Sequence, residues 1–250
     1  MTQVAGGSAG RLTARDVLAT QHRWYHTIDL EPGVATPGWC DLRDKASVPP
    51  IPKKLKGKRA LDCGTFDGFW AFELERRGAE VVAIDIDEIP PPDAPEIYRE
   101  ETRKQMGGVV PGTGFKVLKE YFGSSVTRVS CNVYDVRPDV IGGPVDLAFM
   151  GALLLHLRDP IRALESVRKS IRPGGTFVSF EPVSDPLEDE KPAANFYGHT
   201  TPWTFWYPNK ACLLAWLHTA GFRDIEATGE TWLTDGDGVT QHLIGVRATA

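Results

Sequence analysis

Cysteine is scarce in this 250-residue chain, and its four copies are scattered along the sequence. No pair shows the C-x-x-C spacing of a metal or redox site, so the sequence predicts neither a zinc ribbon nor a disulfide framework. We expect small core residues in a reducing compartment. No apolar run is long enough to span a bilayer, and residues 1–10 contain no apolar segment of a signal peptide. These absences predict a cytoplasmic protein with no membrane partner.

An excess of positive charge is also missing. The chain has 28 Lys and Arg residues against 33 Asp and Glu residues, a net charge of −5. Proteins whose main role is to bind nucleic acid usually present a basic surface, so nucleic acid is not the expected partner. One local cluster is basic. It is either a solvated linker or a surface that binds the phosphates of a nucleic acid, and it consists of Lys53, Lys54, Lys56, Lys58 and Arg59. The length and the 42% hydrophobic content fit one domain, as a monomer or a homodimer.

Residues 60–70, ALDCGTFDGFW, predict a strand, a glycine-containing turn and a helix in succession. The next predicted strand ends at Asp85, whose carboxylate can accept both hydroxyls of a ribose. Together these form the first unit of a nucleotide-binding α/β fold. A dinucleotide fold needs the third glycine of G-x-G-x-x-G, and Asp67 would repel a pyrophosphate. Gly64 and Gly68 allow the turn, which suits a cofactor that ends in an amino acid and carries no phosphate.

Strands and helices alternate regularly from Arg59 onward, which predicts a largely parallel sheet. The last two strands, joined by DGDG at 235–238, predict a hairpin. The expected fold is α/β: a Rossmann-like, seven-stranded, mostly parallel sheet with helices on both faces and an antiparallel C-terminal hairpin. We assign residues 1–52 to an N-terminal helical cap and linker, with a helix over 11–25. Residues 53–250 form the main domain, with an aromatic insertion at 182–207.

This arrangement resembles the class I S-adenosylmethionine methyltransferases, although their usual middle glycine is Phe66 here. The resemblance implies S-adenosylmethionine as the cofactor, with its methionine tail on the glycine loop and its ribose on Asp85. The adenine would lie near the side chain of Asn132 and the backbone of Val133. The implied cofactor-binding residues are Asp62, Gly64, Thr65, Phe66, Asp67, Gly68, Asp85, Ile86, Asn132, Val133, Tyr134, Met150 and Gly151.

Four of these residues have a second role that the sequence leaves open. Asp67 is also suited to capping the following helix, and Asp85 to being a solvated acid at a strand end. Asn132 is also suited to an Asx turn, and Gly151 to close packing.

Two segments carry a closer resemblance, GALLLHLRDP at 151–160 and LHTAGF at 217–222. They resemble the tRNA wobble-uridine carboxymethyltransferase family over about residues 24–247. That family uses a carboxylated S-adenosylmethionine, whose extra carboxylate is held by a lysine, a tyrosine and an arginine. The matching positions are Cys40, Leu155 and Gln241, and none of them provides a cation for a carboxylate. These departures imply ordinary S-adenosylmethionine and a small-molecule acceptor.

Methyl transfer from a sulfonium is an in-line displacement, so the enzyme mainly positions the acceptor and excludes water. A hydroxyl acceptor also needs a base, and the candidates are His156, His26 and Glu181. An aromatic lining suits a ring, a sugar face or a lipid-like acceptor. The expected acceptor-binding residues are Trp24, Tyr25, Tyr197, His199, Trp203, Trp206 and Tyr207. No metal site is expected, because the acids at 185–190 have no histidine beside them.

Three hypotheses follow from the sequence. The first is an S-adenosylmethionine-dependent methyltransferase that acts on a small hydroxylated or amine acceptor. Its leading form is methylation of a hydroxyl oxygen. The second is a transferase that modifies a uridine of tRNA, which the basic cluster before the first strand of the main domain would support. The third is a non-catalytic module that binds S-adenosylmethionine or a partner.

Overall fold

The computed structural model describes residues 12–20 and 23–250. The N-terminal segment contains a short helix and two short strands: α1 (Ala14–Ala19), β1 (Asp29–Glu31) and β2 (Val34–Ala35). The helix is shorter than the predicted 11–25, of which residues 11, 21 and 22 lie outside the described residues. Trp24 and Ile28 lie outside α1 because they pack instead with Leu118 of the main domain in a small apolar core. The N-terminal segment therefore packs on the main domain through its apolar side chains.

The main domain is built on one large sheet. Its strands, with those of a small separate hairpin, are β3 (Arg59–Cys63), β4 (Glu80–Asp85), β5 (Thr127–Ser130), β6 (Val145–Gly151), β7 (Ile171–Val183), β8 (Ala194–Phe196), β9 (Trp206–Pro208), β10 (Arg223–Thr234) and β11 (Thr240–Thr249). The large sheet has seven strands in the order β10-β11-β7-β6-β3-β4-β5, and β8 pairs with β9. Strands β7, β6, β3, β4 and β5 run parallel to one another, whereas β11 is antiparallel to both of its neighbours, β7 and β10. The fold prediction is confirmed.

Five helices of the main domain accompany this sheet: α2 (Phe69–Arg76), α3 (Arg99–Gln105), α4 (Thr113–Phe122), α5 (Pro160–Ser170) and α6 (Lys210–Thr219). The start of α5 shows why the sequence forms a helix there. Asp159 accepts a 2.9 Å hydrogen bond from the N–H of Arg162, and Pro160 occupies the first helical position, where its missing N–H costs nothing. None of the helices in the described part of the chain is long and apolar enough to cross a membrane.

Helices cover both faces of the sheet, because each central strand directs alternate residues to opposite sides. On one face, Leu61 of β3 and Met150 of β6 pack in a core that includes residues of α5 and α6. On the other face, Ala60 and Phe149 pack in a core that includes Trp70 of α2. The two apolar layers hold the sheet rigid from both sides.

The order of the strands reverses between β3 and β6. The chain runs from β3 outward through β4 to β5, and then returns to place β6 on the other side of β3. In open α/β sheets, ligands bind beyond the carboxyl ends of the strands at this reversal. The loops after β3, β4 and β6 meet at this edge. The turn between β10 and β11 lies there too, because His242 near the start of β11 pairs with Val183 at the end of β7.

Candidate active site

The loop between β3 and α2 is a tight turn at the carboxyl edge of the sheet. The N–H groups of Gly64 and Thr65 donate to the carbonyl oxygen of Ile84, at 2.9 and 3.1 Å. Gly64 and Gly68 have φ angles of 75° and 94°, in the left-handed region that favours glycine. Phe66 has a φ of 44°. The position where the family has its middle glycine therefore keeps a left-handed backbone despite its phenyl ring, which is 37% exposed.

Asp85, at the end of β4, holds this loop from the side. Its Oδ2 accepts a 2.7 Å hydrogen bond from the N–H of Phe66, and its Oδ1 accepts a 2.8 Å bond from the N–H of Ile86. Burial raises the pKa of Asp85, while the two N–H groups and the guanidinium of Arg128 oppose the rise. Each carboxylate oxygen can accept a second hydrogen bond. Asp85 therefore fits the hydroxyls of a ribose.

Two buried polar atoms lie beside the loop, Asp62 Oδ2 and Thr65 Oγ1; neither has a well-formed hydrogen bond within the described part of the chain, although the Thr65 side chain is close enough to lower the pKa of Asp62. Asp62 is 1% exposed, and burial raises its pKa to about 7. A buried polar atom without a partner costs about 1–3 kcal/mol. A ligand with N–H donors would satisfy both atoms, and the ammonium of S-adenosylmethionine is such a donor. The residues of the loop therefore fit this cofactor.

The segment after β5 forms an Asx turn. Asn132 Oδ1 accepts a 3.1 Å hydrogen bond from the N–H of Tyr134, at the start of the 3₁₀ turn Val133–Asp135. Tyr134 in turn donates its hydroxyl to Asp93 Oδ2 at 2.6 Å. The Asx-turn role of Asn132 is therefore present, and Tyr134 anchors the loop after β4 through Asp93.

The end of β6 is closely packed. Met150 is fully buried in the core, so it reaches the edge of the sheet only through its backbone. A Cβ atom at Gly151 would lie 3.0 Å from Cε1 of Phe149 and 3.2 Å from Nε1 of Trp70. The absence of a side chain at Gly151 therefore serves close packing against two aromatic rings.

Asp67 connects the glycine loop to the N-terminal segment. Its buried Oδ2 accepts hydrogen bonds from the N–H groups of Tyr25, at 2.6 Å, and His26, at 3.2 Å. The ring of Tyr25 lies 5.1 Å from the ring of Phe66 and 5.4 Å from that of Trp39. The N-terminal segment therefore packs directly against the predicted cofactor loop.

His26 is buried within this contact. Its ring stacks on Phe69 with centroids 5.6 Å apart, and its Nδ1 has no hydrogen-bond partner in residues 12–20 and 23–250. Burial lowers the pKa of His26 to about 4, although the carboxylate of Asp67 opposes the fall. The imidazole is therefore neutral at pH 7. Trp24 is also buried, in the core that it shares with Leu118.

His156 lies at the end of the 3₁₀ turn Leu154–His156, which follows β6. Its Nδ1 forms a short hydrogen bond with the carbonyl oxygen of Trp203. Because a carbonyl oxygen only accepts, Nδ1 carries the proton and Nε2 has a lone pair. Burial lowers the pKa of His156, and the bond to Trp203 opposes the fall. The geometry gives His156 one defined neutral form with an open acceptor nitrogen.

Glu181 is buried in β7 and supports the same loop. Its two oxygens accept hydrogen bonds from the N–H groups of Leu153 and Leu154, both at 3.3 Å. Burial raises its pKa to about 8, while the two N–H groups oppose the rise. The side chain of Leu153 also lies against Gly64, since a Cβ atom there would be 3.2 Å from its Cδ1. Glu181 therefore holds the segment that joins the glycine loop to His156.

The aromatic insertion is divided by the β8–β9 hairpin. Trp206 and His199 pack on the exposed ring of Phe196, with centroids 4.9 and 5.8 Å away. Tyr197 and Tyr207 form a second pair, 6.2 Å apart. Consecutive residues of a strand point to opposite faces, so the hairpin separates the two groups. Of the predicted acceptor residues, the structure links Tyr207 with the C-terminal hairpin and Trp203 with His156.

Sequence reasoning missed one acidic residue at this edge. Asp235 follows β10, and its Oδ2 lies 3.5 Å from Nε2 of Gln241. The Oε1 atom of the same glutamine accepts a hydrogen bond from the hydroxyl of Tyr207. The DGDG segment predicts an ordinary hairpin turn. Its position directly after a strand could also have indicated that Asp235 lies at the edge of the sheet. The described residues contain no group of three or more His, Cys, Asp or Glu side chains that could hold a metal ion.

The sheet and its strand reversal define a Rossmann-like domain, an architecture whose ligands bind at the carboxyl edge. The chain belongs to the methyltransferase-domain family, which matches residues 35–227. The matched domain is a methyltransferase domain, so the enzyme class of the first sequence hypothesis is confirmed.

Comparison with known proteins gives both a sequence relative and structural neighbours. A tRNA U34 carboxymethyltransferase of Desulfotalea psychrophila is 27% identical over 177 residues, which are 69% of this chain and 47% of the relative. The N-terminal domain of EvdMO1, solved with S-adenosylhomocysteine, has a TM-score of 0.58, 19% identity and 95% coverage of both chains. The 1,6-didemethyltoxoflavin-N1-methyltransferase of Burkholderia thailandensis has a TM-score of 0.51 and 18% identity, covering 77% of this chain and 72% of that one.

These similarities differ in what they show. The chain spans about half the length of the curated relatives it matches. The structural neighbours share the fold at low identity. The comparisons therefore establish the family and leave the cofactor and the acceptor to be argued from the site.

Proposed function

We propose that this methyltransferase transfers the methyl group of S-adenosylmethionine to a hydroxyl group of a small-molecule acceptor, with His156 as the base. The observation that carries the proposal is the hydrogen bond between His156 and Trp203, which leaves Nε2 of the imidazole as an open acceptor. His156 follows β6, beside the reversal of strand order where ligands bind in this architecture.

The cofactor contacts follow from the loop geometry. Asp85 would hold the ribose hydroxyls, and Asp62 Oδ2 and Thr65 Oγ1 would receive the ammonium of the methionine tail. When bound, S-adenosylmethionine supplies an activated methyl group on a sulfonium. Phe66 covers the loop with an exposed ring where the family has glycine. These contacts would hold the methyl donor in one place, as an in-line displacement requires.

The base must take a proton from the acceptor hydroxyl as its oxygen forms the new bond. His156 is suited to this because burial lowers its pKa, so that the imidazole is neutral at pH 7. His26 stacks on Phe69 inside the core and belongs to the N-terminal segment, not the loop after β6. Both oxygens of Glu181 already accept hydrogen bonds from backbone N–H groups. Among the three candidates, His156 has the best geometry.

The polar groups around the site favour the ordinary cofactor over its carboxylated form. Cys40 and Leu155, at the positions matching the lysine and tyrosine, are buried. Gln241, at the position matching the arginine, contacts the carboxylate of Asp235. Burial, and then that same carboxylate, raises the pKa of Cys40 to about 12. An additional carboxylate would meet the repulsion of Asp235 here.

Modification of tRNA is the second candidate, because the curated relatives are tRNA U34 carboxymethyltransferases. The basic cluster that would favour it precedes β3, whereas the glycine loop follows β3. A five-residue strand is roughly 16 Å long. The lysines therefore lie at the opposite edge of the sheet from the cofactor loop, which favours a small acceptor.

The test combines His156→Asn with His218→Asn as a matched control, since His218 is exposed on α6. An asparagine at 156 can still donate toward Trp203, but it provides no basic nitrogen. Binding of S-adenosylhomocysteine is measured by calorimetry. Methyl transfer from labelled S-adenosylmethionine is followed by mass spectrometry, on a small-molecule extract and on bulk tRNA.

We expect labelled small molecules, and a loss of transfer of about a hundredfold or more in His156→Asn, with cofactor binding unchanged and His218→Asn active. Label that appears in tRNA instead would favour the second candidate. Transfer that survives in His156→Asn would refute the assignment of the base. We also propose a cytoplasmic location, because all four cysteines are free thiols.

A further inference from the structure

Three separate parts of the chain meet at the carboxyl edge of the sheet. The N–H of Gly236, in the turn between β10 and β11, donates a 2.8 Å hydrogen bond to the carbonyl oxygen of Trp39 in the N-terminal segment. The hydroxyl of Tyr207, in the insertion, donates to Oε1 of Gln241 at 3.4 Å. The ring of Tyr25 lies 5.4 Å from that of Trp39. Since Tyr25 also contacts the glycine loop, this meeting point adjoins the cofactor site.

Asp235 lies at this meeting point and is only 8% exposed. Its Oδ1 accepts hydrogen bonds from the N–H groups of Asp237 and Val239, at 3.0 and 2.9 Å. Its Oδ2 is contacted only by Nε2 of Gln241, at the long distance of 3.5 Å. A carboxylate oxygen can accept two good hydrogen bonds. Oδ2 of Asp235 therefore has acceptor capacity that the described residues do not use.

The charges around this carboxylate are negative. Burial raises the pKa of Tyr25, Cys40 and Tyr207, and the charge of Asp235 adds to the rise in all three. A second carboxylate adds to the rise in each case: Asp67 for Tyr25, Asp41 for Cys40 and Asp185 for Tyr207. A negative field in a partly buried site favours a ligand that donates hydrogen bonds and rejects a carboxylate or a phosphate.

We propose that Asp235 and Gln241 bind a second hydroxyl group of an uncharged ring acceptor, distinct from the hydroxyl that is methylated. Tyr207 contacts Gln241 through its hydroxyl, and Trp39, which packs against Tyr25, accepts the hydrogen bond of Gly236 next to Asp235, so aromatic side chains border the pair. Asp235 already accepts hydrogen bonds from three N–H groups, which partly neutralise its charge. One neutral hydroxyl is therefore enough to use its remaining acceptor capacity, and a full cation is not needed. This inference rests on the proposed function, since it concerns the acceptor of the same transfer.

The experiment uses matched ring compounds that differ in one substituent. One set is catechol, 2-(aminomethyl)phenol and salicylate, and the other is methyl glucoside, methyl 6-amino-6-deoxyglucoside and methyl glucuronoside; the hydroxyl members, catechol and methyl glucoside, are called the diols. Each compound is titrated into the full chain saturated with S-adenosylhomocysteine, and binding is followed by ligand-observed NMR. The variants are Asp235→Asn, Gln241→Leu and Asp237→Asn. An asparagine at 235 keeps the Oδ1 acceptor for the turn, and Asp237→Asn removes an equal charge two residues away.

We expect the diols to bind more tightly than the ammonium and carboxylate members in at least one set. Asp235→Asn should weaken diol binding about tenfold or more and reduce the discrimination against the carboxylate. Gln241→Leu should weaken the same compounds, while Asp237→Asn should leave binding unchanged. Near-UV circular dichroism and binding of S-adenosylhomocysteine show that each variant is folded.

Three outcomes contradict the proposal: preference for the carboxylate or ammonium member, unchanged selectivity in Asp235→Asn, or no diol binding by a protein that still binds S-adenosylhomocysteine. The result is separate from the assignment of the base. His156→Asn should keep the preference for the diol over the carboxylate member, because that selectivity depends on Asp235 and not on the base. If the His156 variant retains transfer, the base assignment fails, whereas the Asp235 result stands.

Discussion

The backbone N–H of Tyr25 donates a 2.6 Å hydrogen bond to Oδ2 of Asp67, across 42 positions of the sequence. The N–H of the next residue, His26, donates to the same oxygen. Asp67 belongs to the glycine loop, whereas Tyr25 packs against Trp39, which borders the subsite proposed for the acceptor. The contact therefore joins the two halves of the proposed active site. A change in the glycine loop on cofactor binding would reach the acceptor side through this bond.

Removal of the Asp67 carboxylate should release the N-terminal segment. In Asp67→Ala, the amides of Tyr25 and His26 lose a charged acceptor, and local opening should become easier by about 2 kcal/mol or more. Hydrogen exchange of a peptide covering residues 23–28 should accelerate roughly thirtyfold. Asp41→Ala is the control, because Asp41 is exposed in the same segment and pairs with Arg43. Equal exchange in both variants would show that other contacts hold the segment.

Asp85 should determine cofactor affinity. Its carboxylate supports the N–H of Phe66 and fits the ribose hydroxyls, so Asp85→Ala removes support for the loop and the proposed ligand contact together. We expect the affinity for S-adenosylhomocysteine to fall about tenfold to a hundredfold by calorimetry. Asp87→Ala is the matched control, because this neighbouring exposed acid pairs with Arg128. Unchanged affinity in Asp85→Ala would mean that another residue holds the ribose.

Glu181 should make folding stability depend on pH. Its pKa rises from 4.5 to about 8 on folding because the side chain is buried, so the folded state holds a proton that the unfolded state releases. The contribution of Glu181 to stability should therefore be complete below pH 4.5 and fall between pH 4.5 and 8, by about 1.4 kcal/mol for each pH unit. Glu181→Gln cannot ionise and should remove much of this fall in urea unfolding.

The control for this measurement is Glu226→Gln, which alters an exposed glutamate on β10. Wild type and Glu226→Gln should have the same slope of stability against pH, while Glu181→Gln should be flatter. Some slope should remain in all three proteins, because burial also raises the pKa of Asp62 to about 7. Identical slopes in all three would remove Glu181 as a source of the pH dependence.

Local patterns predicted the fold and the position of the cofactor loop. The glycine turn after β3 and the acid at the end of β4 depend on short-range spacing, which one sequence displays. The contacts of Asp67 with Tyr25 and of Gly236 with Trp39 depend on how distant segments fold together. No period or motif encodes such contacts.

The histidines show the same limit. The sequence offered His156 and His26 as candidate bases and favoured His156 only by its place after a strand. The structure distinguishes them, because the Nδ1 proton of His156 is directed by a carbonyl oxygen 47 positions away, whereas His26 stacks on Phe69. The tautomer of a histidine depends on its hydrogen-bond partner, so it becomes visible only once the chain is folded.

Gly68 should tolerate no side chain, for two separate reasons. Its φ of 94° is strained for any other residue. A Cβ atom there would also lie 2.5 Å from Cε2 of Phe72 and 2.9 Å from Cδ2 of Phe115. These two rings are stacked 5.3 Å apart, and Phe115 is buried, so neither can move aside freely.

Gly57→Ala separates the two reasons. Gly57 has a φ of 77° but nothing within 4 Å of a Cβ atom, so its substitution introduces backbone strain alone, about 1 kcal/mol. Gly68→Ala should cost that strain and a further 1–3 kcal/mol, roughly, from overpacking, and it should also weaken binding of S-adenosylhomocysteine because α2 begins at the next residue. Urea unfolding and calorimetry of both variants measure the difference. If the two alanine variants lose equal stability, then the rings of Phe72 and Phe115 yield without cost, and the start of α2 is less rigid than its packing indicates.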